Sequence, residues 1–165
     1  MNSFESATRE INEFLESDKE KVIFIKGTNQ KSKLPLVLET IIPSKKLNNG
    51  LFRVNRLDSI AKFFDQRVYD IPLNVGKMRV IENTNFYFDS FKNSTWEYTP
   101  DKLDFALIYP LESLSSSKTD LQKENMEDIL TKRNIKKIFI VSLIDDGYDH
   151  EWLNQYIDRT IEFNK

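Results

Sequence analysis

The sequence contains no cysteine, one histidine (His150) and only four glycines among its 165 residues. Without cysteine there is no disulfide, no thiolate metal site and no cysteine nucleophile. One histidine, at the start of an expected helix and without a partner pattern, leaves no His/Cys cluster at metal-ligand spacing. The Gly-x-Ser-x-Gly of a hydrolase nucleophile elbow is missing. Long hydrophobic runs are missing too. Stretches such as Ile138 to Ile144 fall far short of the ~20 residues that cross a bilayer. The opening Met1-Asn2-Ser3-Phe4-Glu5-Ser6 lacks the basic start and apolar core of a signal peptide. The expectation is a soluble, cytoplasmic protein with no membrane contact. A strong excess of either charge is also lacking, the net being −2, so no broadly basic nucleic-acid surface is forecast, although a local patch can hide in a balanced total.

What is plentiful is aromatic bulk. Twelve Phe, six Tyr and two Trp supply a core for a single α/β domain over residues 1–165. Phe4, Ala7, Ile11, Phe14 and Leu15 recur at three- and four-residue steps, which predicts an amphipathic helix over 3–17, with Ser3 or Ser6 as N-cap. A β-branched and aromatic run over 21–26 reads as a buried strand that ends at Gly27. After a polar loop, Leu34-Pro35 opens a helix that Pro43 closes.

In the middle, residues 51–54 read as a strand and 58–65 as a short helix. Residues 66–100 read as an irregular insertion with a hairpin, its strands 78–81 and 86–88 joined by a turn at Asn83-Thr84-Asn85. The last third reads as a strand over 103–109, a loop over 113–117, a helix over 118–132, a strand over 138–143, and a final helix capped by Asp149 and bearing Trp152, Leu153, Tyr156, Ile157, Ile161 and Phe163. Apolar strands alternating with helices predict a mostly parallel sheet flanked by helices, with Rossmann-type layering. Ligand sites then fall at the carboxyl ends of the strands. Gly27, Tyr109–Glu112 and Asp145–Gly147 all follow strand ends and are expected on one rim.

The segment Gly27-Thr28-Asn29-Gln30-Lys31-Ser32-Lys33-Leu34 stands between a strand and a helix. It resembles the phosphate-binding loop G-x-x-x-x-G-K-[ST] of P-loop NTPases. Gly27 and Lys33 keep the spacing. The second glycine has become Ser32, whose Cβ hinders close phosphate approach, and the Mg²⁺-binding hydroxyl has become Leu34. Such ATPases also carry an Asp-Glu pair after another strand, to hold Mg²⁺ and polarise water. On an AAA-type pattern Tyr109 and Pro110 occupy those positions. The surviving acids near that strand are Asp104 and Glu112, and Ser142 is the nearest polar residue to a sensor position on the following strand.

The resemblance implies a P-loop NTPase-like fold with both motifs eroded: a pseudo-ATPase with no catalytic residue, no metal and no cofactor. Such a domain acts through an unidentified protein partner, as an adaptor or regulatory module in a larger bacterial assembly. The aromatic insertion is its expected surface. A second reading is an atypical ATP/Mg²⁺-binding NTPase. In it Gly27, Thr28, Ser32 and Lys33 hold nucleotide and a displaced carboxylate, Asp104 or Glu112, serves the metal. A third is a nucleic-acid-binding module that uses Lys26, Lys31, Lys33, Lys45 and Lys46, or Lys132, Arg133, Lys136 and Lys137. No stacking-aromatic motif accompanies either cluster.

Overall fold

The structure is a computed structural model and describes residues 3–56, 74–114, 118–144 and 147–164. The expected helix over 58–65, most of the irregular stretch after it, Ser115–Ser117 and Asp145-Asp146 lie outside the described residues. Among the described residues seven strands form one sheet: β1 (Val22–Lys26), β2 (Asn49–Val54), β3 (Arg79–Ile81), β4 (Thr84–Ser90), β5 (Lys102–Tyr109), β6 (Asn134–Val141) and β7 (Arg159–Glu162). Their spatial order is β3-β4-β2-β5-β6-β1-β7. Every pairing is parallel except β3 with β4. The fold is therefore α/β with a mostly parallel sheet.

Helices α1 (Phe4–Glu16) and α2 (Lys33–Ile41) cover one face of the sheet, and α3 (Thr119–Glu127) with a 3₁₀ turn at Glu151–Tyr156 covers the other. Ser3 caps α1 by accepting the Ser6 N–H. Under α1 and α2 runs a line of phenylalanine rings, from Phe88 and Phe86 through Phe105 to Phe139 and Phe14, with neighbouring centroids 5.4–6.5 Å apart. Gly50 lies against this line because a Cβ there would come within 1.9 Å of the Phe105 ring.

The middle segment is less separate than its irregular sequence suggests. Its hairpin is real, but β4 pairs in parallel register with β2 from Asn49↔Asn85 to Val54↔Ser90. The hairpin thus extends the main sheet. The turn is Glu82-Asn83, one residue earlier than expected, and both residues have positive φ (47° and 73°). That is the geometry of a two-residue type I′ hairpin, which follows the twist of the strands.

The final helix is a correction. Residues 151–156 form the 3₁₀ turn, and β7 follows as an edge strand parallel to β1. Trp152, Leu153, Tyr156 and Ile157 mimic helical spacing. From Arg159 onward, however, burial alternates, with Ile161 and Phe163 inside and Thr160 and Glu162 outside, which is the period of a strand. Asp158 fixes the entry by accepting the Lys21 and Val22 N–H groups at 2.7 and 2.8 Å. Arg159 then forks onto Glu20 and reaches Glu13.

Candidate functional site

The chain leaves β1 through α2 toward β2 on one side of the sheet, while after β6 it crosses to β7 on the other. Connections that depart in opposite directions open a crevice at the carboxyl ends of two neighbouring strands, the usual ligand site of such sheets. Here those strands are β1 and β6. The loop Gly27–Ser32 follows β1 and Ser142 follows β6, so the sequence-predicted loop stands at the expected point of the fold.

The crevice is closed from within. The Lys33 side chain is wholly buried. Its ammonium donates to the Gly27 carbonyl and, at 2.8 Å, to Ser142 Oγ. Ser142 Oγ in turn faces the Ile25 carbonyl at 3.4 Å. The lysine that the motif assigns to phosphate oxygens is therefore held by oxygens of the protein, across the very strands between which a ligand would lie.

The loop amides are also engaged. Thr28 N–H and Oγ1 both donate to Asn164 Oδ1, at 2.8 and 3.2 Å. Asn29 N–H donates to the Phe163 carbonyl at 3.2 Å. Asn164 is oriented by its own Nδ2, which donates to Glu162 Oε1 at 3.1 Å. A phosphate loop works by presenting such N–H groups to an anion. In this chain the segment after β7 lies on two of them.

Gly27 permits this approach. Its φ is +122°, and a Cβ would stand 2.1 Å from the Phe163 carbonyl oxygen. Ser32 occupies the N-cap position of α2 with helical φ and ψ and makes no side-chain cap. Leu34 is buried in the core beneath α2, where its isobutyl group belongs and a metal-binding hydroxyl would not.

The two acids are placed far apart in role. Asp104 lies near the start of β5, paired across from the first residues of β2. It accepts the Asn48 and Asn49 N–H groups at 2.9 and 3.0 Å and lies 3.4 Å from the Lys136 ammonium. That is the amino end of the sheet, opposite the Gly27 loop, so Asp104 cannot serve a metal there. Glu112 does lie on the carboxyl rim, just after β5. Its carboxylate accepts the Leu143 and Ile144 N–H groups at 2.6–3.0 Å and so fixes the turn that follows Ser142. Beside it, burial and then the Glu112 charge push the Tyr109 phenol up to about 12. No group of three or more His, Asp or Glu suited to a metal occurs among the described residues. No helix among them is long and apolar enough to cross a membrane.

The basic clusters do not form continuous stripes. Lys33, Arg133 and Lys137 are buried, and Lys46 pairs with Glu16. Lys137 donates to the carbonyls of Phe14 and Ser17, each at 2.7 Å, and to that of Glu20, which closes the carboxyl end of α1.

Sequence reasoning missed a buried ionic network. Arg53 on β2, wholly buried, forks onto Asp89 of β4 with two bonds of 2.9 Å and reaches Asp128 at 2.8 Å. Arg133 meets the same Asp128 oxygen at 2.9 Å, and Thr99 links Arg133 back to Asp89. The Arg53 guanidinium carbon lies over the Trp96 ring, 4.3 Å from its centroid. The available signal was an arginine inside the apolar strand Leu51-Phe52-Arg53-Val54. A missed contact of the site itself is Asn164, whose only trace in the sequence is a polar residue after a strand.

Fold and site together define an α/β fold with a mostly parallel sheet, in which the Gly27–Ser32 loop at the switch point is held by Lys33, Ser142 and the segment after β7. No protein-family profile matches the chain, and no curated protein matches it. One solved structure, "The Phi-28 gp11 DNA packaging Motor", is similar at 10% identity with a TM-score of 0.46, over 93% of this chain and 58% of that one. The chain thus spans little more than half the length of that structure's chain, and the likeness is a distant one of fold.

Proposed function

We propose that this chain is a non-catalytic, P-loop-like domain, a pseudo-ATPase, that works through contacts with another protein. The observation that carries the reading is the wholly buried Lys33, bound to Gly27 and Ser142. A nucleotide would have to extract that ammonium and displace Asn164 and Phe163 from the loop amides. It would still find no magnesium-binding hydroxyl at Leu34. What supports the protein-contact half is the edge of the sheet at β3, which among the described residues pairs with β4 on one side alone. There Met78 and Val80, with Tyr98 of the neighbouring turn, are 42%, 61% and 60% exposed, and an open edge strand is a template for pairing with another chain.

The test is the melting temperature with and without millimolar ATP or GTP and Mg²⁺. A ligand at about a hundred times its Kd adds roughly 2.7 kcal/mol, which raises the midpoint of a chain this size by roughly 5–10 °C. The reading expects no shift. A shift of that size, abolished in Lys33→Ala, would establish a live nucleotide site and defeat it.

A further inference from the structure

A second cavity, distinct from the closed crevice, opens on the same rim of the sheet. Its volume is about 610 Å³, within the ~300–1,000 Å³ range of small-molecule sites. It lies where β2, β4 and β5 end, against the first turn of α3, and Phe91 and Leu121 form its apolar part. Around it stand Lys92, Lys118, Asn55 and Ser113. Among the described residues none of these four side chains has a hydrogen-bond or ion-pair partner. Glu112, the one acid among the described lining residues, already receives two backbone N–H groups from beyond β6. Two uncommitted ammonium groups and two neutral polar groups therefore face one committed carboxylate.

The walls are held by the buried ionic network. Arg53 lies two residues before Asn55, Asp89 is the neighbour of Ser90, and Asn125 follows Leu121 by one helical turn. Arg53 ties these three segments together directly, through Asp89 and, at 3.4 Å, Asn125 Oδ1. Asn125 Nδ2 donates to the Phe91 carbonyl at 3.2 Å, and Trp96 Nε1 donates to that of Ser90 at 2.8 Å. Burying two arginines and two aspartates seldom adds stability over a well-packed apolar core. Fixing the walls of a binding site is a use that such rigidity serves.

The geometry points to a binding site for a small organic monophosphate. Its phosphate lies between Lys92 and Lys118, with Asn55 and Ser113 as further donors, and its ring or apolar body rests on Phe91 and Leu121. Arg53 acts there as a positioning residue. The site is independent of the Gly27 loop and of the pseudo-ATPase reading.

Isothermal titration of the full chain with phenyl phosphate and AMP, beside adenosine and phenol, tests it. The two phosphates are expected to bind and the two neutral compounds to bind far more weakly. Loss of a charge-assisted contact weakens binding by about tenfold per lysine, so the exposed pair Lys92→Ala/Lys118→Ala should lose about a hundredfold without a change in melting temperature. Lys31→Ala, on the other loop, should leave binding intact. Arg53→Lys should weaken binding while the fold, followed by circular dichroism, persists. The inference is overturned if neither phosphate binds, if adenosine binds as well as AMP, or if the double variant binds like the parent.

Discussion

Arg53 is the residue whose loss should be felt most. Replacing it with Met keeps most of the side-chain volume and removes the charge. Asp89, wholly buried, would lose both bonds of 2.9 Å and keep, among the described residues, only the Thr99 hydroxyl at 3.0 Å. Asp128 would keep Arg133 at 2.9 Å. Breaking a buried pair from one side costs about 3–5 kcal/mol, because the remaining charge is stranded. At roughly 3 °C per kcal/mol for a chain of this length, the melting temperature should fall by about 9–15 °C. The double variant Arg53→Met/Asp89→Leu removes both charges and leaves Asp128 paired with Arg133. Apolar replacement of a buried pair is commonly neutral or better, so the double variant should regain more than half of the loss. Thermal and urea unfolding followed by circular dichroism read both numbers. A single-variant loss below about 1 kcal/mol, or a double variant less stable than the single, would refute the claim that these charges hold one another in a dry interior.

Three further outcomes follow from the geometry. Gly27→Ala should destabilise by about 2–4 kcal/mol, since φ is +122° and the new Cβ meets backbone 2.1 Å away; limited proteolysis should then release the segment after β7 first. Lys137→Met should cost about 2–3 kcal/mol in urea unfolding, because it removes the ammonium donor of the Phe14, Ser17 and Glu20 carbonyls and leaves Phe14 with the Ser17 N–H at 3.2 Å. The Arg159 guanidinium, bound to both oxygens of Glu20, holds that carboxyl below the usual 4.5. A depressed carboxyl stabilises the fold above its unfolded value and ceases to do so as pH falls through its folded value. Glu20→Gln should therefore melt below the parent at neutral pH, with the gap closing as pH drops below 4.5.

The parts of this fold that were legible in sequence are those with local causes. Val22 to Ile25 is apolar throughout because β1 is covered on both faces, and Phe4 to Leu15 carries its helix in its own spacing. The loop Gly27–Lys33 was recognisable because glycine and lysine sat at a fixed distance between such elements. Its chemistry was not legible, because it depends on Ser142 and Asn164, more than a hundred residues away in the chain. The buried state of Arg53 and Lys137 escaped notice for the same reason. A cation in a strand looks solvent-facing until its partners arrive from β4, α3 or the end of α1. The strand β7 was hidden by length: five alternating residues after a convincing helical pattern are too few to outweigh it, and β1 supplies the missing evidence only in three dimensions. Asp104 and Glu112 looked alike in sequence as acids near one strand, yet β5 carries them to opposite rims of the sheet.

The Lys33 ammonium occupies the crevice itself. Timed acetylation of the native protein, with mass spectrometry at each lysine, reads this directly. Lys31, exposed two residues away, is the internal reference. Lys31 should react readily, while Lys33 is acetylated only at the rate of global unfolding, and ATP with Mg²⁺ should change neither rate. Lys33 reacting as fast as Lys31, and protected when nucleotide is added, would contradict that placement.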